Sequence, residues 1–393
     1  MSGRNRAREG IDGGVTRPAG TRASTRAKPL EQLSDKRVVI CVGSGGVGKT
    51  TASAALALGL AMRGRRVAVV TIDPANRLAA ALGLDELSGE PHRIDPGLLA
   101  EQGVHAKGEL WAMMLDAKRT FDEIVTRLEP DPERLAAILS NPVYRELSTA
   151  VAGSHEMSAI AKLYELHSEH DFDTIVLDTP PSRNALDFLG APARLLGFLD
   201  GRALQVFLAP TGLTARLFGR TTGIVFGIFA RVTGIDMLGE LSRFFASLSG
   251  VMDGFGAQTR AVAELLRAPS TAFVIVTSPE PEPAREAAFL AARLDEAGMA
   301  RGGLIVNRVH SEGLHGRTPA QVARLLSAEL GERLAARVAS NLADFDILAR
   351  RDAATVDRLS GELDHTTPVQ VPYLDEDIQD LAGLARIAAY LLG

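Results

Sequence analysis

Seven short runs of unbroken hydrophobicity recur along the chain: "VVICVG" (38 to 43), "VAVVTID" (67 to 73), "LWAMMLD" (110 to 116), "TIVLD" (174 to 178), "FVIVTS" (273 to 278), "GLIVNRV" (303 to 309) and "PVQVPYL" (368 to 374). They favour β-branched residues and do not alternate apolar with polar, which marks strands buried on both faces and hence a mainly parallel sheet. Stretches with helical period and terminal breakers lie between them: "KTTASAALALGLAMRG" runs from Lys49 to Gly64, and "EPAREAAFLAARLDEAG" ends on Gly298. This alternation predicts an α/β fold, a doubly wound sheet with helices on both faces. Two long intervals interrupt it. Residues 117 to 170 are charged and amphipathic, and 183 to 268 are richer in Phe, Leu, Ile and Met. Both read as helical insertions on one side of the sheet. The second is either a helical core or a surface for an apolar partner segment.

Composition narrows the classes. The net charge is −5, but residues 1 to 36 hold eight basic and four acidic side chains, which leaves −9 on residues 37 to 393. A tail of Arg, Gly, Ser and Thr with almost no apolar content cannot offset its ordering entropy, so residues 1 to 36 are expected to be disordered. The acidic body and an aromatic content of 5% argue against a nucleic-acid-binding face or a stacking platform. The single cysteine, Cys41, excludes an internal disulfide or a cysteine cluster within the chain, and its apolar strand makes it a packing residue. The tail has no apolar run of the secretory kind. In the more apolar interval the longest uncharged run is 13 residues, between Arg202 and Arg216 and interrupted by Pro210. No transmembrane segment is expected, and the plain reading is a cytoplasmic protein.

"GSGGVGKT", Gly43 to Thr50, satisfies G-x-x-x-x-G-K-[ST] between a predicted strand and a predicted helix, the setting a phosphate-binding loop requires. Glycines let successive backbone N–H groups face a phosphate, and the helix N-terminus adds its positive end. Lys49 would reach the β- and γ-phosphates of ATP, and the Thr50 hydroxyl would bind Mg²⁺. Hydrolysis needs two further carboxylates. Asp178 in "TIVLDTPPS" and Asp73 in "VVTIDPANRL" both end apolar strands at the same edge of a parallel sheet as the loop, where a metal-holding acid and a water-orienting acid belong.

Together, "GSGGVGKTT", "TIDPA", "DTPPS", "LIVNRV" and "VPYLDEDIQDLAGLARIAAYL" resemble the arsenical pump-driving and tail-anchored-protein-targeting ATPase family, within the ParA/MinD-like deviant Walker P-loop ATPases. "NPVYRELSTAVAGSHEMSAIAKLYEL" resembles a segment of the family's bacterial anion-transporting ATPase members. The resemblance covers about residues 36 to 393 and implies one ATPase domain there. It implies a nucleotide site of Gly45, Gly46, Val47, Gly48, Lys49, Thr50 and Thr51, with Thr50 and, through water, Asp178 on Mg²⁺. Asp73 becomes the residue that orients water, Asn307 the one that reads adenine, and Pro372 and Leu374 the loop that packs on the base. It further implies nucleotide-driven opening and closing of a dimer that handles a client, such as an apolar membrane-protein segment. A ParA/MinD-like positioning ATPase and a regulatory half with little turnover are the alternatives.

The departures are specific. The family often has a His-Asn pair after the "DPA" of its first switch segment, where this chain has Asn76 and Arg77, and its second switch segment often reads "DTAPTGH", where this chain has "DTPPSRN" with Arg183 and Asn184 for Gly and His. Cysteines for zinc or arsenite are lacking, so no zinc or metalloid site is expected. Ser44 occupies the position of a lysine that, in the family, crosses the dimer to the other subunit's phosphates. Three readings stay open: a heterodimer with a paralogue that keeps "GKGG", a homodimer in which Arg183 or Arg77 replaces the lysine, or a chain that binds ATP without appreciable turnover.

Overall fold

The computed structural model describes residues 30–72, 77–142, 144–145, 155–180, 254, 256–374, 378 and 380–393. Each of the seven hydrophobic runs forms a strand: β1 (Val38–Val42), β2 (Arg66–Thr71), β4 (Glu109–Met114), β5 (Thr174–Asp178), β6 (Thr271–Thr277), β7 (Arg301–Val309) and β8 (Val369–Pro372). With the two-residue β3 (His92–Arg93) they make one sheet of order β3-β4-β2-β5-β1-β6-β7-β8. Every pairing is parallel except β3 with β4. The exposed pair His92 and Arg93 carries no hydrophobic run, so the sequence gives no sign of β3.

Unbroken hydrophobicity has the expected cause. Val39, Cys41, Val69, Val176, Val274 and Ile305 face one core, shared with α1 (Lys49–Met62) and the last helix, Leu381–Leu392. Their neighbours Val38, Ile40, Val70, Ile175, Leu177, Phe273 and Ile275 face a second core, packed by Ile160, Leu163 and Leu166 of helix His155–Glu169 and by Leu290 and Leu294 of helix Pro281–Glu296. Because side chains alternate along a strand, only a sheet covered on both sides has apolar residues at every step.

Parts of both intervals read as insertions pack on the sheet. Helices Ala117–Leu128 and Pro132–Ser140 close a separate small core of Val125, Ile138 and Tyr144. Helix His155–Glu169, assigned by sequence to the same insertion, instead covers the sheet. Buried Lys162 ties the two together, with Nζ 2.7 Å from Glu123 Oε2 and 2.9 Å from Glu165 Oε1. Most of the second interval lies outside the described residues, but helical residues 256–267 already belong to the sandwich, with Val262, Leu265 and Leu266 in the second core.

The boundary of the tail also moves. Residues 30–35 are packed: Leu30 and Leu33 are buried in the first core, and the Leu30 N–H donates to the Leu391 carbonyl at 2.7 Å. Two leucines three apart in an otherwise polar stretch anchor the turn Glu31–Asp35, helped by Gln32 Nε2, which donates to the Gly302 carbonyl at 2.8 Å. The sequence reading likewise did not anticipate the helical excursion between β7 and β8, Pro319–Leu330 followed by the 31-residue helix Glu332–Glu362. Thr318 and Gln321 form a capping box at its start. Among the described residues, no helix is long and apolar enough to cross a membrane.

The last helix packs on α1 at Gly59, where a Cβ would stand 2.7 Å from Leu392 Cδ1 and 3.0 Å from Ala388 Cβ. Overpacking of this kind costs about 1–3 kcal/mol. Gly59→Leu is therefore expected to lower the unfolding free energy from urea titrations by at least that much, whereas an unchanged urea midpoint would mean that the two helices are not held together as described.

Candidate functional site

β1, β2, β5 and β6 all run parallel, so their C-terminal ends meet at one edge, and the loop 43–48 joins β1 to α1 there. Gly48 takes φ 90° at the cap of α1, and a Cβ on it would lie 2.3 Å from Asn307 Nδ2. Only glycine meets both conditions. The turn lets Lys49 fold back over the loop, where its buried Nζ donates to the Ser44 carbonyl at 2.8 Å. The arch Gly45–Gly46 is exposed.

Asp178 is the last residue of β5 and is 1% exposed. Its Oδ2 accepts from Thr50 Oγ1 at 2.7 Å and from Thr71 Oγ1 at 3.0 Å. The two residues assigned by sequence to a metal are thus in contact and offer a hydroxyl and a carboxylate, hard oxygen ligands of the kind that suit Mg²⁺. Cys41 lies beneath them, and burial pushes its thiol up to about 12, which leaves it a protonated packing group. Asp73 and Arg183 lie outside the described residues. Arg77 opens the short helix Arg77–Ala81 and is exposed.

Ser44 is buried, and its hydroxyl donates to Glu286 Oε2 of helix Pro281–Glu296. Sequence reasoning did not find Glu286, because nothing in a helical run marks which face reaches a loop 242 residues away.

Asn307 comes to the loop as well. Its Nδ2 donates to the Val47 carbonyl at 2.9 Å, and its Oδ1 accepts from the Arg308 N–H at 3.0 Å. Of the residues expected at the base, Pro372 ends β8 opposite Val309, and Leu374 packs against the first core. Between them Tyr373 is 56% exposed, with its ring stacked on His310 at 5.4 Å between centroids and 7° between planes. Sequence reasoning missed Tyr373, His310 and Arg308. The one available sign was "NRVH" at a strand end, where polar groups emerge from an apolar run.

His310 in turn is bound to Asp352 of helix Glu332–Glu362: the His310 N–H and Nδ1 both donate to Asp352 Oδ2, at 3.0 and 2.7 Å. Arg351 donates to Oδ1 at 3.2 Å. Burial raises the Asp352 carboxyl, but the donors from His310 and Arg351 outweigh it and hold the group below the usual carboxylate range.

A phosphate-type loop with a buried acid at the carboxyl edge of a parallel sheet defines a P-loop nucleotide-binding fold. The family model for anion-transporting ATPases matches residues 36–324, and the chain belongs to that family. Among curated relatives, ATPase GET3 of Malassezia globosa is 30% identical over 168 residues, 42% of this chain and 45% of that one. ATPase ARSA1 of Chlamydomonas reinhardtii is 27% identical over 303 residues, 71% of this chain and 35% of that one. An uncharacterised protein of Streptomyces coelicolor is 30% identical over 182 residues, 46% and 42% of the two chains. In each case the match spans less than half the length of the relative.

Since the folded pKa of Asp352 lies below its unfolded value, its contribution to stability is present above about pH 4 and is lost as pH falls through the folded value. Asp352→Asn should cost about 1.5–3 kcal/mol at pH 7, as expected for hydrogen bonds to a charged group. In urea titrations the difference from wild type should shrink below pH 4; a gap independent of pH would place the effect in shape rather than charge.

Proposed function

We propose that the protein is a cytoplasmic, Mg²⁺-dependent ATPase that opens and closes with a second subunit to handle an apolar client segment. The observation that carries the catalytic part is the convergence of Lys49, Thr50 and Asp178 on one loop at one sheet edge. Residues Gly45 to Thr51 would receive the phosphates of ATP, with Lys49 leaving the Ser44 carbonyl for the β- and γ-oxygens. Thr50 and Asp178 would hold Mg²⁺, which when bound neutralises charge on those oxygens. Asp73 would orient the water that attacks the γ-phosphorus as the bond to the β-phosphate oxygen breaks, giving ADP and phosphate. Asn307 has one amide hydrogen and one lone pair beyond its two protein contacts, enough for a purine edge beside Pro372, Tyr373 and Leu374.

Ser44 is short, neutral and bound to Glu286 within the chain, so it can lend no charge to a second subunit. The second cation would come from another residue of a homodimer or from a "GKGG" paralogue. The apolar client is suggested by the hydrophobic interval 183 to 268.

The test is ATP hydrolysis by the purified chain, with its mass in solution measured beside it. Lys49→Ala should reduce turnover about a hundredfold or more, and hydrolysis indifferent to that change would sink the reading. Thr50→Ala should abolish the gain in nucleotide affinity that Mg²⁺ gives while leaving affinity in EDTA unchanged. An equal loss with and without Mg²⁺ would remove Thr50 from the metal.

A further inference from the structure

Resting on the nucleotide-binding reading above, we infer that Arg308, together with Asn307, clasps the phosphate loop in its receiving form, and that Arg308 is a positioning residue for the nucleotide.

The clasp begins with a fault in the β7–β8 register. Ile305 pairs with Val369 and Val306 with Gln370, but Val309 pairs with Pro372, so three steps on β7 oppose two on β8. The extra residue is a bulge in the span 307–308, where Arg308 takes φ 59°, a left-handed conformation that ordinary side chains avoid. In a regular strand consecutive side chains point to opposite faces. Here both reach the same loop: Asn307 Nδ2 donates to the Val47 carbonyl at 2.9 Å, and Arg308 Nη1 donates to the Gly46 carbonyl at 3.2 Å. The Arg308 N–H closes the pair on Asn307 Oδ1 at 3.0 Å. Backbone strain next to a functional loop persists only when the surroundings fix it, and these three bonds do so.

Capping those two carbonyls has a geometric consequence. In a planar trans peptide the C=O and the following N–H point in opposite directions, and the described chain has no cis bonds. Holding the Gly46 carbonyl against Arg308 turns the Val47 N–H to the other side, and holding the Val47 carbonyl against Asn307 does the same for the Gly48 N–H. These are donors of the kind a phosphate takes from such a loop. Without the clasp the peptides could turn over freely, since Gly46 and Gly48 both stand at positive φ, 78° and 90°, and the arch is exposed. Ordering the loop beforehand removes a cost that binding would otherwise carry. A merely structural arginine would not need a strained backbone to reach a single carbonyl of a nucleotide loop.

The full chain is tested by calorimetric titration with ADP and Mg²⁺, with the melting temperature of each variant measured without nucleotide. Arg308→Ala and Arg308→Gly should weaken ADP about tenfold or more, the loss expected for one hydrogen bond from a charged donor. Arg308→Lys, which can still reach one carbonyl, should stay within about threefold of wild type. Arg308→Gly should melt near wild type, because relief of the left-handed backbone offsets the lost hydrogen bond. Affinity within threefold of wild type in the Ala and Gly variants overturns the inference. So does a weakened affinity that comes with a lowered melting temperature in Arg308→Gly, since the residue would then act only on folding. A wild-type chain that binds no ADP would sink the ATPase reading itself, and this inference with it.

Discussion

Burial of the central strands on both faces is the constraint from which the site follows. Every residue of β1, β5 and β6 is buried, so these strands can carry chemistry only at their ends. Parallel order brings those ends to one edge: Asp178 closes β5, the phosphate loop leaves β1, Asn307 and Arg308 sit near the end of β7, and α1 begins with its N-terminus there. The polar groups then satisfy one another at that edge, Thr50 and Thr71 on Asp178, Lys49 on the Ser44 carbonyl, Asn307 on Val47. The bonds on Asp178 and that of Lys49 are ones that an incoming metal or phosphate could replace, whereas the bond from Asn307 to Val47 holds the loop itself.

Much of this architecture was legible in the sequence because it rests on local patterns. A run such as "TIVLD" states its own burial, and "GSGGVGKT" between a strand and a helix states both its conformation and its chemistry. What escaped was set by contacts between distant residues. β3 has no pattern because its two residues are exposed and held only by pairing with β4. Leu30 and Leu33 sit in a stretch whose composition reads as disordered, yet two side chains in the right place anchor it under the sheet. The bulge that aims Arg308 is invisible in "LIVNRV", since a register fault belongs to two strands and not to one. The candidate site divides in the same way: Thr50 and Asp178 meet as the loop motif and strand end imply, whereas Glu286, His310 and Tyr373 are found only by tracing side chains across the fold.

Ser44 illustrates how one substitution changes the character of a loop. The resemblance implies a lysine reaching beyond its own chain in that position, but here a buried serine turns inward and binds Glu286. The loop is thereby tied to helix Pro281–Glu296 on one side and, through Gly46 and Val47, to the end of β7 on the other. Both ties run through hydrogen bonds and not through the packed core, which resists small displacements.

The packing of helix Leu381–Leu392 against α1 bears on how the protein is made. Leu392 and Ala388 cover Gly59, Arg63 donates to the Gly393 carbonyl at 2.7 Å, and Leu391 receives the Leu30 N–H. The buried face of the helix that follows the loop is closed by residues translated more than three hundred positions after it. During synthesis that apolar face must wait, exposed or in the keeping of a chaperone.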